Sequence, residues 1–284
     1  MKTQQVYLEY IQEINVFAVK DEIIESLERQ NIVPLISLNP ADYARLQTPA
    51  PAPQSPLVGF LCCREQNMYS ADFNYVKSLA TANVRLRFLT YKNNMAQMQN
   101  IHGLMLPGGR FPSPPEFYID AAPDLPPAGL RSDAYISCIT EAEKRGLPMF
   151  GVCAGAQMIG CMHGFKLYRN VKQALSTDLE HKTIELEAHT IKIKPHTLLH
   201  KLLGTDKAVV NSRHIEAIVN TPSASNLHIY AYAPDNVPES WGNAKKHILC
   251  IQWHPEDFAA AGSRQMQNLY NWLAAEATTF QHKK

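Results

Sequence analysis

The feature that most constrains the fold is a regular alternation of short apolar runs with amphipathic runs after residue 57. Strand-like apolar runs occupy 57–63, 84–91, 101–109, 147–152 and 248–257. Runs with helical periodicity occupy 70–83, 134–146, 154–164 and 263–277. Residues 183–195 alternate like a half-exposed strand pair, and further strand candidates lie at 207–219 and 226–234. This alternation predicts an α/β fold with a mostly parallel sheet that is covered by helices on both faces.

A proline-rich stretch, TPAPAPQSP at 48–56, separates a short N-terminal segment from this alternation. Prolines that alternate with small residues favour an extended, semi-rigid linker. The segment before it is predicted to form a strand, a helix and a second strand, in which Pro34 favours a position at a sheet edge. We therefore expect an N-terminal α/β extension of unknown role (1–47), a linker (48–56) and a main domain (57–284).

The composition excludes several classes of function. The chain has 284 residues with 27 basic and 26 acidic side chains, which gives a net charge of +1. That balance does not favour binding to nucleic acid or to an anionic membrane, and no apolar run approaches the length of a transmembrane helix. The six cysteines form no C-x-x-C pair, so we expect reduced thiols in a cytoplasmic protein. No group of residues has metal-ligand spacing, and neither a metal nor a cofactor is expected.

The segment Gly151-Val152-Cys153-Ala154-Gly155 joins a predicted strand directly to a predicted helix. A residue at such a junction lies on a tight turn, so its neighbours two positions away must be small to avoid the strand and the helix. This is the arrangement of a nucleophile elbow, here with a thiol in place of a hydroxyl. The free N–H groups at the start of the helix favour the thiolate. Cys153 is therefore the candidate nucleophile, and the alternative is a core cysteine at a tight turn.

A thiolate that attacks an acyl group needs a base and a group that orients this base. The sequence Trp253-His254-Pro255-Glu256 offers both, because residues two apart in an extended segment point the same way. This segment also follows an apolar strand. His254 and Glu256 are therefore expected at the same edge of the sheet as Cys153.

A turn with two adjacent glycines, Leu106-Pro107-Gly108-Gly109, follows another predicted strand. Glycines leave their backbone N–H groups open to a ligand. We expect the N–H groups of Gly109 and Ala154 to form an oxyanion hole for a tetrahedral intermediate.

Together, the glycine turn, the cysteine elbow and the His-Pro-Glu segment resemble the class I glutamine amidotransferase superfamily, and they occur in the same order along the chain. The resemblance covers about residues 57–275. It implies a flavodoxin-like sheet and a triad of Cys153, His254 and Glu256. It also implies attack on a γ-glutamyl amide, which gives a γ-glutamyl thioester that water or another acceptor resolves.

The stretch Val210-Asn211-Ser212-Arg213-His214 is similar to the V-N-S-x-H segment of the γ-glutamyl-γ-aminobutyrate hydrolase family. This resemblance implies substrate contacts from Gly108, Gln157, Asn211, Ser212, His214 and Glu216. The chain departs from the family pattern at Ala154, Phe111 and Ile215-Glu216, where the family usually has Arg, Asp and His-Gln. Because a glutamate replaces a neutral glutamine, we expect Glu216 to favour γ-glutamyl polyamines over substrates with a carboxylate on the leaving side.

The leading hypothesis is thus a cysteine-dependent hydrolase that cleaves the γ-glutamyl amide bond of a small molecule, with self-association left open. Two alternatives remain at this point. One is a glutamine amidotransferase subunit that delivers ammonia to a synthase partner, which ammonia release dependent on another protein would support. The other is a non-catalytic binding module of the same fold, against which the intact set of Cys, His and Glu argues.

Overall fold

The computed structural model describes residues 2–119, 127–219 and 226–283. The chain divides into two compact units. The first unit comprises Met1–Met105, Asp133–Pro148 and Tyr270–Lys284, and the second comprises Leu106–Ser132 and Met149–Leu269.

The first unit is built on a mixed sheet. Its strands are β1 (Lys2–Ile11), β2 (Val16–Lys20), β3 (Ile32–Leu38), β4 (Leu57–Leu61), β5 (Cys63–Glu65), β6 (Met68–Asp72), β7 (Arg85–Leu89) and β8 (Gly103–Leu106). Their spatial order is β8-β4-β7-β3-β1-β2-β6-β5. Strand β4 pairs in parallel with β7 and β8, and β1 pairs in parallel with β3. The pairs β3–β7, β1–β2, β2–β6 and β5–β6 are antiparallel.

Helices of the first unit connect these strands. They are α1 (Asp21–Arg29), α2 (Asp42–Leu46), α3 (Phe73–Thr81), α4 (Asn94–Gln97) and most of α5 (Leu130–Arg145). The larger part of the last helix of the chain, from Tyr270 onward, also belongs to this unit. The predicted helix over 70–83 is wrong at its start, because residues 68–72 form β6. Helix α3 begins only where the Asp72 side chain accepts a hydrogen bond from the Asn74 backbone N–H, which satisfies one of the free donors of the first turn.

Strand β3 does not lie at a sheet edge, contrary to the prediction from Pro34. It pairs with β1 through Pro34 and its neighbours, whereas its pairing with β7 is confined to Ile36 and Phe88. Pro34 therefore lies beyond the short ladder with β7, where a missing N–H costs little. The expected division of the chain at 48–56 stays a prediction, although the sheet of the first unit includes strands from both sides of that stretch.

The second unit carries the remaining strands and helices. The strands are β9 (Met149–Val152), β10 (Leu167–Tyr168), β11 (His189–Ile193), β12 (Lys207–Val210), β13 (Ala217–Ile218), β14 (His228–Tyr232), β15 (Pro238–Asn243) and β16 (Ile248–Ile251). The helices are α6 (Ala154–Met162), α7 (Val171–Leu175), α8 (Leu198–Leu203), α9 (Pro255–Ala260) and the first turns of α10 (Arg264–His282). Short 3-10 helices lie at Gln12–Ile14, Pro115–Phe117 and Ala244–Lys246.

The sheet of the second unit runs in the order β12-β11-β14-β15-β16-β9, and β10 and β13 form a separate pair. Strands β9 and β16 are parallel, with Val152 opposite Ile251, so both end at the same edge. The sequence prediction for 183–195 is wrong over its first half, because only His189–Ile193 forms a strand. The strand predicted over 207–219 is interrupted between β12 and β13.

The expected α/β class is confirmed: parallel strand pairs at β4, β7 and β8 and at β9 and β16 are extended by antiparallel strands into mixed sheets. Within the described ranges, no helix combines the length and the apolar character that crossing a lipid bilayer requires.

Candidate active site

Cys153 lies on a strained turn between β9 and α6. Its φ of 50° and ψ of −114° place a non-glycine residue in the left-handed half of backbone space, which costs of order 1–3 kcal/mol and is typical of functional sites. A Cβ on Gly151 would lie 2.8 Å from the Ala156 backbone nitrogen, and one on Gly155 would lie 2.1 Å from the Leu106 carbonyl oxygen. Both glycines are therefore required by close backbone approach, which is the reason that the sequence spacing suggested.

His254 reaches the same edge because β16 runs parallel to β9. The Cys153 backbone N–H donates to the Ile251 carbonyl oxygen at 2.8 Å, and His254 follows three residues later. The His254 Nδ1 atom lies 2.5 Å from Glu256 Oε1, and the His254 side chain also hydrogen-bonds to Cys153. Because Glu256 occupies Nδ1, the other ring nitrogen is available to the thiol. The structure therefore brings the three predicted residues into one hydrogen-bonded chain.

The local reason for the His254–Glu256 contact differs from the prediction. His254 is not followed by extended backbone, because α9 begins at Pro255 and places Glu256 in its first turn. Proline suits this position, since its missing N–H would have no partner within the helix. The carboxylate of Glu256 is buried at 3% exposure, so it reaches the imidazole from a fixed helical start.

The charge state of His254 follows from its neighbours. Burial by itself lowers the pKa of an imidazole, but the Glu256 carboxylate and the Cys153 sulfur together raise the pKa of His254 well above its ordinary value. A protonated His254 beside the sulfur is the ion pair that a thiolate nucleophile requires. Burial raises the pKa of Cys138 to about 12, and it also raises the pKa values of Cys62, Cys161 and Cys250.

Asn211 forms two hydrogen bonds with the backbone of His254. The His254 N–H donates to Asn211 Oδ1 at 2.7 Å, and Asn211 Nδ2 donates to the His254 carbonyl oxygen at 3.0 Å. The same Nδ2 atom lies 3.2 Å from Asp257 Oδ2, which also forms an ion pair with Arg213 at 2.6 Å. Asn211 is fully buried. Its position therefore fixes the backbone of His254.

The sulfur opens into a pocket of about 340 Å³. Predicted site residues that line it are Gly109, Cys153, Ala154, Gln157, His214, Glu216 and His254. Residues that the sequence analysis did not assign to the site also line it: Arg110, Phe111, Ser113, Arg169, Lys182, Arg213 and Ile215. The pocket thus combines the candidate nucleophile, its candidate base and both expected oxyanion donors.

Three predicted substrate contacts have other partners. Asn211 and Ser212 are fully buried and do not line the pocket; the Ser212 hydroxyl donates to the His181 carbonyl oxygen at 2.8 Å. The Gly108 carbonyl oxygen accepts from Arg131 Nη2 at 2.9 Å. We correct the assignment of Asn211 and Ser212 from substrate contacts to supports of the site, because hydrogen bonds to protein groups engage their buried side chains. The contact from Gly108 stays a prediction, because the bond to Arg131 engages only its carbonyl oxygen.

Arg131 supports the glycine turn next to the nucleophile. Besides its bond to the Gly108 carbonyl, its guanidinium lies 4.6 Å from the centre of the Phe111 ring. Gly109 has a φ of 145°, and a Cβ there would lie 2.1 Å from Arg131 Nη2. The turn therefore admits only glycine at this position while Arg131 keeps its place.

Glu216 faces the pocket, as predicted, but its carboxylate is engaged. Tyr118 donates its hydroxyl to Glu216 Oε1 at 2.6 Å, and burial raises the pKa of Glu216. The Glu216 carbonyl oxygen accepts from Gln157 Nε2 and lies 2.9 Å from His214 Nδ1. Sequence patterns did not indicate Arg110 and Arg169, whose charges act on Glu216, because these residues lie on separate loops without a shared periodicity.

Fold and site together define a protein of the class I glutamine amidotransferase-like superfamily. A protein-family model, Peptidase C26, matches residues 56–256. The chain therefore belongs to the peptidase C26 family. The glycine turn, the cysteine elbow and the His-Pro-Glu segment of this chain all lie within the matched residues.

The chain is also similar to individual proteins in sequence or in fold. Protein NtpR of Enterococcus hirae is 30% identical over 192 residues, which cover 65% of this chain and 79% of NtpR. YvdE of Lactococcus lactis, a candidate glutamine amidotransferase-like protein, is 32% identical over 127 residues, which cover 43% of this chain and 50% of YvdE. A crystal structure of a candidate GMP synthase subunit from Thermoplasma acidophilum superposes with a TM-score of 0.58 at 15% identity, covering 81% of this chain and 97% of that one. The last similarity shows the fold alone.

Proposed function

We propose that the protein hydrolyses the γ-glutamyl amide bond of a small molecule. The observation that carries this proposal is the hydrogen-bonded chain of Cys153, His254 and Glu256 at the wall of a pocket that Gly109 and Ala154 also line. A strained thiol beside a protonated imidazole is suited to acyl transfer at a carbonyl carbon. Membership of the peptidase C26 family agrees with a hydrolase that uses this set.

In the first half-reaction, the Cys153 thiolate attacks the γ-carbonyl carbon, and the carbonyl electron pair moves onto oxygen as the C–S bond forms. The N–H groups of Gly109 and Ala154 stabilise this oxyanion, and one such donor is typically worth ~10²–10³ in rate. When the carbonyl re-forms, the C–N bond breaks and His254 gives its proton to the departing amine nitrogen. The product on the enzyme is a γ-glutamyl thioester.

In the second half-reaction, neutral His254 takes a proton from a water molecule as the water oxygen attacks the thioester carbonyl. Collapse of the second tetrahedral intermediate breaks the C–S bond, which releases glutamate and restores the thiolate beside imidazolium. Glu256 keeps the imidazole oriented throughout and stabilises its positive charge.

The charged side chains that line the pocket indicate which charge the substrate carries. Arg110, Arg169 and Lys182 line it together with Arg213, whose guanidinium Asp257 already pairs. Among the residues that the structure describes, Glu216 is the one carboxylate that lines the pocket with these cations, and Tyr118 donates a hydrogen bond to it. A γ-glutamyl group carries one carboxylate and one amine, so the excess of cations favours a further negative charge on the substrate. We therefore propose a γ-glutamyl amide whose leaving amine itself carries a carboxylate, which reverses the preference expected from Glu216 alone.

The experiment measures glutamate release from γ-glutamyl-γ-aminobutyrate, γ-glutamylputrescine, folate polyglutamates and glutamine. Wild type, Cys153→Ala and Cys63→Ser are compared, since Cys63 is a partly exposed thiol on β5. We expect turnover in wild type and Cys63→Ser and none in Cys153→Ala. Absence of glutamate release from every γ-glutamyl amide would contradict the proposal.

Lys182→Gln tests the substrate charge, with Lys201→Gln on α8 as the matched exposed control. We expect Lys182→Gln to lower kcat/KM for the carboxylate-bearing substrate about 3–10-fold, because an exposed ion pair with the substrate contributes about 1 kcal/mol. The same change should leave kcat/KM for γ-glutamylputrescine unaffected. An equal decrease of kcat/KM for both substrates, or an equal decrease in Lys201→Gln, would show that Lys182 does not discriminate between substrates by their charge.

A second candidate function is supply of ammonia to a synthase, which the glutamine amidotransferase-like name of YvdE favours. It predicts that glutamine is the best amide of the panel and that its turnover rises on addition of a partner. Steady hydrolysis of another γ-glutamyl amide by the protein alone would favour the first function instead.

A further inference from the structure

A second cluster of titratable side chains, three imidazoles and one carboxylate, lies in the interior of the second unit. It comprises His181, His189, His214 and Glu239, whose exposures are 2%, 7%, 4% and 0%. Glu239 lies on β15 and His189 begins β11, whereas His181 and His214 lie on irregular segments. The chemistry proposed for Cys153 uses none of these side chains.

Three imidazole nitrogens face the same carboxylate oxygen. His181 Nδ1 and His189 Nε2 each lie 3.7 Å from Glu239 Oε1, and His214 Nε2 lies 3.5 Å from it. The ligand atoms of His181, His189 and Glu239 all lie within 4.8 Å of one another. His181, His189 and Glu239 therefore form one compact set, and His214 approaches this set at Glu239 Oε1.

These converging atoms make no hydrogen bond to any other group in the described parts of the chain. A buried polar atom without a partner costs about 1–3 kcal/mol, so several in one place require an explanation. Direct hydrogen bonds between nitrogen and oxygen would bring the atoms to about 2.7–3.2 Å. The separations of 3.5 and 3.7 Å are too long for that and leave a gap between the ligand atoms.

The gap matches the size of a tetrahedral metal site. Bonds of about 2.0–2.1 Å to a Zn²⁺ ion place ligand atoms about 3.3–3.4 Å apart in a tetrahedron. The observed separations exceed this value by a few tenths of an ångström. Contraction around the ion would bring the ligand atoms of His181, His189 and Glu239 to bonding distance, and His214, which lies outside that compact set, would have to move further than the other two rings.

Outer partners orient two of the rings toward the centre. His181 Nε2 lies 2.9 Å from Asp235 Oδ2, and His214 Nδ1 lies 2.9 Å from the Glu216 carbonyl oxygen. Each acceptor keeps a proton on the outer nitrogen, so that the inner nitrogen presents its lone pair. A carboxylate or carbonyl behind a ligating histidine is the usual outer arrangement of metal sites. The His214 backbone N–H also donates to the His181 carbonyl oxygen at 2.8 Å, which couples the two segments.

We propose that His181, His189, His214 and Glu239 bind a divalent transition metal ion, with Zn²⁺ as the preferred ion. Three imidazoles and one carboxylate suit Zn²⁺, whereas Mg²⁺ and Ca²⁺ prefer sites made of oxygen. Four protein ligands fill a tetrahedron and leave no open position for substrate, so the site is structural. Sequence spacing could not reveal it, because the ligands lie far apart along the chain.

The site has a direct link to the candidate active site. The segment between Asn211 and Glu216 contains a ligand, His214, between the residue that holds the His254 backbone and a residue that lines the pocket. A bound ion would therefore fix this irregular segment between β12 and β13. We expect loss of the ion to lower stability first and activity as a consequence.

The test measures metal binding directly, after removal of any affinity tag and treatment with a chelator. The protein is titrated with Zn²⁺ and separately with Co²⁺, whose visible absorption reports tetrahedral coordination and whose near-ultraviolet bands report thiolate ligands. We expect one equivalent of either ion per chain, a tetrahedral Co²⁺ spectrum without thiolate bands, and a Tm raised by about 5 °C. If the protein binds neither Zn²⁺ nor Co²⁺ at about 100 µM of the ion, and its Tm is unchanged, the proposal is overturned. The three histidines and Glu239 would then form a cluster that shares protons without a metal.

Three variants locate the site. Asp235→Asn changes only an outer partner and should lower Zn²⁺ affinity about 10–100-fold. Glu239→Gln removes a ligand and should lower it further, while His228→Gln, an exposed histidine on β14, should bind as wild type does. Unchanged affinity in Asp235→Asn and Glu239→Gln would place the ion elsewhere and contradict the assignment. If Glu239→Gln does not fold, Asp235→Asn and the Co²⁺ spectrum of wild type still decide the question.

Discussion

Asn211 gives the most specific prediction about how the site is held. The change Asn211→Ala removes the acceptor of the His254 N–H and the donor to the His254 carbonyl oxygen, at 2.7 and 3.0 Å. Each buried backbone group left without a partner costs about 1–3 kcal/mol, which sums to about 2–6 kcal/mol of unfolding free energy. His254 is partly exposed, so water can reach it and the loss should lie near the lower end.

The effect on turnover should exceed what stability explains. A shift of the imidazole by about 1 Å costs about 10²-fold in rate, so we expect kcat of Asn211→Ala to fall about 100-fold while KM changes little. The assay is steady-state hydrolysis of the best γ-glutamyl amide, at a temperature where circular dichroism shows the variant fully folded.

Asn243→Ala is the matched control, because Asn243 also bonds to backbone groups, at Lys245, Lys246 and Asn226, away from the pocket. It should lose stability and keep kcat. A folded Asn211→Ala protein whose kcat lies within about twofold of wild type would refute the inference that Asn211 positions His254.

Other predictions follow from the geometry of the nucleophile and its base. Glu256→Gln removes the carboxylate that raises the pKa of His254, so the alkaline fall of kcat/KM should move to lower pH; an unmoved alkaline limb in a pH–rate profile would contradict this. Sub-stoichiometric iodoacetamide should label Cys153 before the buried thiols whose pKa values burial raises, as peptide mapping would show; preferential labelling elsewhere would count against the assignment. Gly155→Ala should lower the unfolding free energy by more than about 3 kcal/mol, because its Cβ would lie 2.1 Å from the Leu106 carbonyl oxygen; a denaturant midpoint equal to wild type would show that the turn can relax.

The local parts of the site were predictable from the sequence. The elbow at Cys153 depends on steric demands within five consecutive residues, so Gly151 and Gly155 reveal it. The pairing of His254 with Glu256 was predictable from spacing, although a helix start rather than extended backbone produces it. The common edge of the two motifs followed from apolar strands that end immediately before each of them.

The parts that depend on contacts between distant segments were not predictable. Strand β1 is exposed at most of its positions and lacks a clear apolar alternation, so its pairing with β3 carries no local signal. The role of Asn211 depends on a backbone 43 residues away. The basic residues around Glu216 and the ligands around Glu239 likewise converge only after folding.

A γ-glutamyl thioester at Cys153 is the central intermediate of the proposed reaction, and an acid quench during turnover tests for it directly. The protein is mixed with an excess of the best γ-glutamyl amide, quenched within the first turnovers, digested and analysed by mass spectrometry. We predict that the peptide containing Cys153 gains the mass of one γ-glutamyl group, and that hydroxylamine added before the quench removes it. Continued release of glutamate with no modification of Cys153, or with the γ-glutamyl group on another residue, would contradict the account.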